Sequence, residues 1–129
     1  MSLLLDTQAF LWIILRSKKV KARAFEAISD PGTAIFLSAA SAWEIAIKAA
    51  LGKLQLPGEP SLYVPKRMQE SGVSPLAVTH HHALAVHRLP MHHNDPFDRL
   101  IIAQAQLEGL SIVTGDRSFD AYDVRVVWL

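Results

Sequence analysis

The chain has 129 residues, of which half are hydrophobic and 19% are charged, and it contains no cysteine. This length suits a single domain over residues 1–129 with one hydrophobic core, and this composition excludes a disordered chain. The lack of cysteine excludes disulfides, zinc–thiolate sites and cysteine nucleophiles, and a net charge of +1 is too balanced to indicate nucleic-acid binding by itself.

The first apolar run, residues 3–5, is interrupted at once by Asp6. A positively charged segment does not precede it and a small-residue cleavage site does not follow it, so a signal peptide is not expected. Nor does any stretch approach the ~18 uninterrupted apolar residues of a membrane span. We therefore expect a cytoplasmic protein.

Short apolar runs alternate with longer stretches of helical periodicity along the chain. The predicted strands are residues 2–5, 34–37, 73–78, 111–114 and 124–128. Helices are predicted over residues 7–15, 19–29, 61–71, 80–88 and 96–108. A further helix begins after Ser38 or Ser41 as its cap and ends at Gly52. Thr79 caps the helix 80–88, and Asp95 caps the helix 96–108. A polar loop with histidines spans residues 89–94, and residues 115–122 form a loop or a short helix.

Strands separated by helices, several of them wholly apolar, predict an α/β fold with a parallel sheet covered on both faces. In such sheets ligands bind beyond the carboxyl ends of the strands, where the strand order reverses. Asp6 follows the first strand directly, and Asp116 follows the fourth after Gly115, which allows a sharp turn. Each acid, taken alone, fits a cap or turn residue as well as it fits a metal ligand.

Three further acids lie on predicted helices. Glu44 stands in an apolar segment, where an unpaired carboxylate is costly; its simplest partner is Lys48, one turn later, but we favour a functional role. Asp95 and Asp98 lie at a helix start, where negative charge is favourable. Asp95 fits the cap, so Asp98 is the candidate that reaches over the end of the sheet.

Clustered carboxylates without cysteine favour Mg²⁺ or Mn²⁺ over zinc. Asp120 is a weaker candidate for the same cluster. The histidines at 80–82, 92 and 93 are interpreted as solvated, structural residues, because no histidine pair has the i, i+4 spacing of a helical metal site.

Four motifs in the chain, taken in order, resemble those of PIN-domain proteins, in particular toxins of the VapBC toxin–antitoxin type. The motifs are Leu-Leu-Asp-Thr at 4–7, Ser-Ala-Trp-Glu-Ile-Ala-Ile-Lys at 41–48, His-Asn-Asp-Pro-Phe-Asp-Arg-Leu-Ile-Ile-Ala-Gln-Ala at 93–105 and Val-Thr-Gly-Asp at 113–116. Each motif is short, but the resemblance spans nearly the whole chain.

The resemblance implies a functional role for specific positions. It places the family's acidic quartet, which is both catalytic and metal-binding, on Asp6, Glu44, Asp98 and Asp116. Three further residues receive supporting roles: Thr114 as a small hydroxyl residue near the site, Asp120 as an additional, variable acid, and Asp95 as a recurrent residue that we interpret as a cap.

The resemblance also implies a three-layer α/β/α sandwich around a mainly parallel five-stranded sheet. It implies a ribonuclease that depends on Mg²⁺ or Mn²⁺ and cuts RNA, a homodimer, and a small VapB-like antitoxin that blocks the site. In this hypothesis Lys48, Arg99 and Arg117 contact RNA phosphates, although surface salt bridges explain them equally well.

Two other functions remain open at this stage. A haloacid-dehalogenase-like phosphatase also begins with an aspartate after a strand, but it normally needs a second aspartate two residues later, where this chain has Gln8. A non-catalytic α/β interaction domain that binds magnesium through the acids around Asp6 is the other alternative.

Overall fold

The computed structural model describes residues 1–15 and 22–129. Its strands are β1 (Ser2–Leu5), β2 (Ala34–Ser38), β3 (Val73–Leu76), β4 (Ser111–Thr114) and β5 (Val126–Trp128). They form one sheet in the order β3-β2-β1-β4-β5, and every neighbouring pair is parallel. The prediction of a five-stranded parallel sheet is therefore confirmed, with β3 ending two residues earlier and β5 starting two residues later than predicted.

The described helices are α1 (Thr7–Ile14), α2 (Ala22–Ser29), α3 (Ala39–Ala50), α4 (Pro60–Glu70), α5 (His80–Ala85) and α6 (Pro96–Glu108). Short 3-10 turns span Val86–Arg88 and Arg117–Ala121. Residues 19–21 of the second predicted helix lie outside the described residues, and the predicted helix 80–88 becomes α5 followed by a 3-10 turn. Within the described ranges, the helices are all too short or too polar to cross a membrane.

The two faces of the sheet carry separate hydrophobic cores, because successive side chains of a strand point to opposite faces. Leu3 and Leu5 of β1 pack with Phe10 of α1 on one face. Leu4, between them, packs on the other face with Ile101 of α6. Helices therefore cover both faces, which confirms the three-layer α/β/α sandwich.

Two local signals define α6. The Asp95 side chain accepts hydrogen bonds from the backbone N–H groups of Phe97 and Asp98, so Asp95 is the N-cap, as predicted. Gly109 ends the helix with a φ of 67°, a left-handed conformation that glycine adopts without steric cost. The first turn of this helix is thus fixed at the carboxyl edge of the sheet.

The switch point of the strand order lies between β1 and β4. From β1 the chain builds β2 and β3 outward on one side, and then crosses to β4 on the other side of β1. Leu5 of β1 is in register with Val113 of β4, and the next residue, Asp6, donates its backbone N–H to Val113 O at 3.0 Å. The segments that leave these two strands therefore start side by side, where α/β folds bind ligands.

Candidate metal centre

Asp6 caps a helix and also contacts the neighbouring strand β4. It is the N-cap of α1, with Oδ1 accepting the backbone N–H of Ala9 at 2.6 Å. Oδ2 accepts the hydroxyl of Thr114 at 2.5 Å. Burial raises the pKa of Asp6 to about 6, against the lowering effect of these two donors, and the charges of Asp116 and Glu44 add to the increase.

Glu44 reaches the same place from α3. Its side chain is buried, with Oε1 accepting the hydroxyl of Thr7 at 2.6 Å and Oε2 lying 2.9 Å from Lys48 Nζ. The hydrogen bond to Glu44 raises the pKa of Lys48. The simple partner proposed from the sequence is thus present, but Lys48 is half-exposed and lines the same cavity as Glu44, so the ion pair belongs to the site.

Asp98 has the most perturbed carboxyl group of the four. It lies in the first turn of α6 with its side chain only 16% exposed. Burial raises its pKa to about 8, and the charges of Asp95, Asp6, Glu44 and Asp116 contribute in the same direction. All the other predicted acids of the quartet are thus close enough to repel the Asp98 carboxylate.

Asp116 is the most exposed member, because it follows β4 at the rim of the cavity. Its Oδ1 accepts the backbone N–H and the hydroxyl of Ser118 at 2.9 and 2.8 Å. Partial burial acts to raise its pKa, but the hydrogen bonds from Ser118 and the nearby His93 together outweigh it, so the pKa lies below 3.8. Thr114 links this residue to the first acid, since its hydroxyl accepts the Asp116 N–H at 3.0 Å while donating to Asp6.

The acids surround one cavity of about 320 Å³ at the carboxyl edge of the sheet. Its lining contains all four residues of the predicted quartet together with Asp95, Lys48, Thr7, Gln8, Gly115, Leu11 and Trp12. Asp120 is exposed and is not part of the cavity lining, so the structure separates it from the quartet. Thr114 lies next to the cavity as the buried hydroxyl that connects two of its acids.

The interpretation of the histidines as solvated is wrong at two positions. His82 is buried, with Nε2 2.8 Å from Glu108 Oε1, and it closes a capping box with Thr79. His93 lies in the site: its Nε2 is 3.0 Å from Asp98 Oδ2 and 3.5 Å from Asp116 Oδ2. The loop 89–94 has no periodicity from which this contact can be inferred, although His93 belongs to the third motif.

The three basic residues considered as RNA contacts, Lys48, Arg99 and Arg117, lie in different environments. Arg99 is buried, and its guanidinium donates to the backbone oxygens of Val86, Leu89 and Pro90 and to the hydroxyl of Tyr122. Neither interpretation of Arg99 from the sequence, an RNA contact or a surface salt bridge, fits this buried position, since these donors are used inside the protein. Lys48 lines the cavity, and Arg117 is exposed and stacks over the ring of Trp128, 4.3 Å from its centroid.

The protein is therefore of the three-layer α/β/α class, with a parallel sheet and a carboxylate-lined cavity at the switch point of that sheet. The PIN domain family model matches residues 3–125, and the chain belongs to that family. Over 55 residues the chain is 54% identical to Ribonuclease VapC16 of Mycobacterium tuberculosis (strain ATCC 25618 / H37Rv). That stretch covers 43% of this chain and 39% of the relative, so the match spans less than half of either protein.

Solved structures show the same fold along nearly the whole chain. The chain is similar to one in the crystal structure of VapBC2 from Rickettsia felis bound to a DNA fragment from their promoter, with a TM-score of 0.73, 14% identity and coverage of 98% of both chains. DNA-bound VapBC from Salmonella typhimurium gives a TM-score of 0.71, 19% identity and coverage of 98% and 97%. For a chain of a toxin–antitoxin complex from Klebsiella pneumoniae the TM-score is 0.60 and the identity is 23%, with coverage of 96% of this chain and 94% of that chain.

Proposed function

We propose that this protein is a metal-dependent endoribonuclease that hydrolyses RNA phosphodiester bonds as the toxin of a type II toxin–antitoxin pair. The observation that carries the proposal is the convergence of Asp6, Glu44, Asp98 and Asp116, from four separate segments, on one cavity. Membership of the PIN-domain family and the stretch shared with a VapC ribonuclease support the same reaction.

The donor set of the cavity fits a divalent cation. It offers carboxylate oxygens, the ligands that Mg²⁺ and Mn²⁺ prefer. Asp98 in addition has a pKa of about 8, because its charge is buried close to other carboxylates. A bound dication offsets that repulsion, and it supplies Lewis-acid polarisation of a phosphate oxygen and a water of lowered pKa.

The residues of the site bind the cation and orient its carboxylate ligands. In this proposal the quartet holds the cation, and the hydroxyls of Thr7 and Thr114 fix the orientation of Glu44 and Asp6. Second-shell hydrogen bonds of this kind keep carboxylates in a coordinating geometry.

Substrate contacts are available at two edges of the cavity. Leu11 and Trp12 of α1 form an apolar wall, which limits water on that side. Lys48 lines the cavity, so in this proposal its ammonium binds an RNA phosphate beside the scissile bond, and the exposed Arg117, which follows Asp116 in the sequence, is a second candidate for a phosphate contact.

We further propose a VapB-like antitoxin as partner, a homodimer as the working state and the cytoplasm as the location. The structural neighbours named VapBC and toxin–antitoxin complexes support the antitoxin. Large apolar side chains at Trp43, Leu51 and Leu62 are more than 60% exposed, which is consistent with covered surfaces in an assembly.

The test is RNA cleavage by the purified chain in Mg²⁺, in Mn²⁺ and in EDTA. We expect cleavage only with metal, and a loss on the order of 100-fold or more in Asp6→Asn and in Asp98→Asn, because each removes a charge that acts on the reacting phosphate through the metal. The control is Asp123→Asn, which removes an exposed carboxylate outside the cavity.

The alternatives give different outcomes in the same experiment. Hydrolysis of p-nitrophenyl phosphate without RNA cleavage would indicate a phosphatase. Metal binding without hydrolysis of either substrate would indicate an interaction domain. RNA cleavage that survives both aspartate substitutions would contradict the proposed site.

A further inference from the structure

The imidazole of His93 lies between two of the proposed metal ligands. Nε2 is 3.0 Å from Asp98 Oδ2 and 3.5 Å from Asp116 Oδ2, and the side chain is 19% exposed. One donor atom from each of these three residues lies within 4.8 Å of the others, which is compact enough to hold a metal ion. His93 is therefore either a nitrogen ligand to the metal or a hydrogen-bond donor to the two carboxylates.

The other ring nitrogen decides between these roles. The backbone N–H of Asp95 donates to Nδ1 of His93 at 3.1 Å, which uses the lone pair of Nδ1. A neutral imidazole has one N–H group and one acceptor nitrogen, so an accepting Nδ1 puts the proton on Nε2. An Nε2 that carries the proton has no lone pair for a metal. It lies 3.0 Å from Asp98 Oδ2 and 3.5 Å from Asp116 Oδ2 but makes no well-directed hydrogen bond to either in this structure, so it is a buried donor still to be satisfied beside the two carboxyl groups.

The surrounding loop holds the ring in this orientation. Arg99 donates to the backbone oxygens of Val86, Leu89 and Pro90, which fixes the chain just before the histidines. Asp95 is fixed as the cap of α6, so its N–H is held in place. The ring also packs edge-on against Phe119, with ring centroids 6.3 Å apart and planes at 90°.

We propose that His93 is a positioning residue whose Nε2–H holds the carboxylates of Asp98 and Asp116 in place for the metal, without binding the metal itself. Its effect on the metal rests on the proposed function. Its tautomer and its contact with the carboxylates do not, so the two can be tested separately. His93 adds to the site a group that none of the four acids supplies, a ring nitrogen within 3.5 Å of one acid on α6 and of one after β4.

The direct test is long-range ¹H–¹⁵N NMR of the metal-free, ¹⁵N-labelled full chain at about pH 9, above the pKa of about 8 of Asp98, with the His93 signals identified by their loss in His93→Gln. We expect a proton on Nε2 and none on Nδ1, and the same pattern after addition of diamagnetic Mg²⁺. A proton on Nδ1 with a bare Nε2 overturns the proposal. So does a change to that tautomer on metal binding.

A second test uses Mn²⁺ as the probe, titrated by EPR into the wild type and two variants. His93→Leu removes the donor, and we expect about 10- to 100-fold weaker binding, the usual effect of losing such an outer-shell partner. His93→Gln keeps an N–H donor and should retain most of the affinity, whereas the exposed helix residue substitution His81→Gln should change nothing. Equal affinity in the wild type and in His93→Leu overturns the proposal.

The electron spin echo envelope of bound Mn²⁺ separates positioning from ligation. We expect no ¹⁴N coupling from a coordinated imidazole in the wild type, and a coupling that disappears in His93→Gln would make His93 a ligand. If the wild type binds no divalent cation, the proposed function fails, while the NMR tautomer still decides whether His93 presents an N–H to the two carboxyl groups. Because that measurement uses the wild-type chain, it holds even if His93→Leu does not fold.

Discussion

Neutralising Asp98 should make the metal-free protein more stable at alkaline pH. The folded protein raises the pKa of this carboxyl from 3.8 to about 8, so between these values the folded state binds a proton that the unfolded state has lost. The free energy of unfolding therefore falls as the pH rises through this window, and the whole penalty is present above pH 8. Asp6, with a pKa of about 6, adds a smaller penalty of the same sign.

The size of the effect follows from the same values. At about 1.4 kcal/mol per pH unit, the interval from 3.8 to about 8 gives a ceiling of about 6 kcal/mol. The side chain keeps 16% of its exposure, and the other acids can move away from it, so we expect Asp98→Asn to recover about 2 kcal/mol at pH 9. For a domain of this size that is a rise in Tm of about 6–10 °C.

The assay is urea and thermal unfolding in EDTA at pH 5 and pH 9, for the wild type, Asp98→Asn and the exposed control Asp123→Asn. At pH 5, only about 1.2 pH units above the unfolded pKa of 3.8, less than a third of the penalty has developed, so the advantage of Asp98→Asn should be small; at pH 9 the advantage should reach its full size. Saturating Mg²⁺ or Mn²⁺ should reverse the order, since a ligand at 100 times its Kd stabilises by about 2.7 kcal/mol. A difference that is absent at pH 9, or equal at both pH values, would refute the reasoning.

Two further substitutions test the residues that support the site. Arg99→Met leaves the buried backbone oxygens of residues 86–90 without a donor. We therefore expect the free energy of unfolding, measured by urea denaturation, to fall by about 2–4 kcal/mol, and hydrogen exchange in residues 86–95 to become faster. Unchanged exchange in these residues would contradict the idea that Arg99 fixes this loop. Thr114→Val removes the hydroxyl that links Asp6 to the backbone of Asp116, which should cost about 1–2 kcal/mol and weaken Mn²⁺ binding, and a variant with wild-type Mn²⁺ affinity would show that the link is dispensable.

The parts of the fold that sequence patterns predict well are those decided locally. The apolar run after Met1 predicts a buried strand because only a central strand of a parallel sheet is covered on both faces. Asp95 before Pro96 predicts a helix start, because a side-chain cap and a residue without an N–H suit that position. The limits of β3 and β5 each differ from the prediction by two residues at one end, since pairing with a neighbour, rather than hydrophobicity, decides where a short edge strand ends.

Arg99 shows why neighbours in sequence did not share a role. It follows Asp98 directly, which favoured a phosphate contact. Successive residues of a helix, however, point about 100° apart, so Asp98 faces the cavity while Arg99 faces the loop that precedes α6. Its donors then find backbone oxygens that no sequence pattern marks. His93 was missed for a related reason, because its contact depends on the path of an irregular loop.

Asp98 also shows which of two opposing electrostatic effects is larger. A carboxylate in the first turn of a helix is normally stabilised by the helix dipole, by about 0.3–1 kcal/mol. Here Asp95 already occupies the cap and accepts the first N–H groups, so Asp98 receives little of that benefit. Burial beside other carboxylates outweighs it and raises the pKa to about 8. A proton and a divalent cation therefore compete for Asp98 near neutral pH, and metal affinity should rise with pH as that proton leaves.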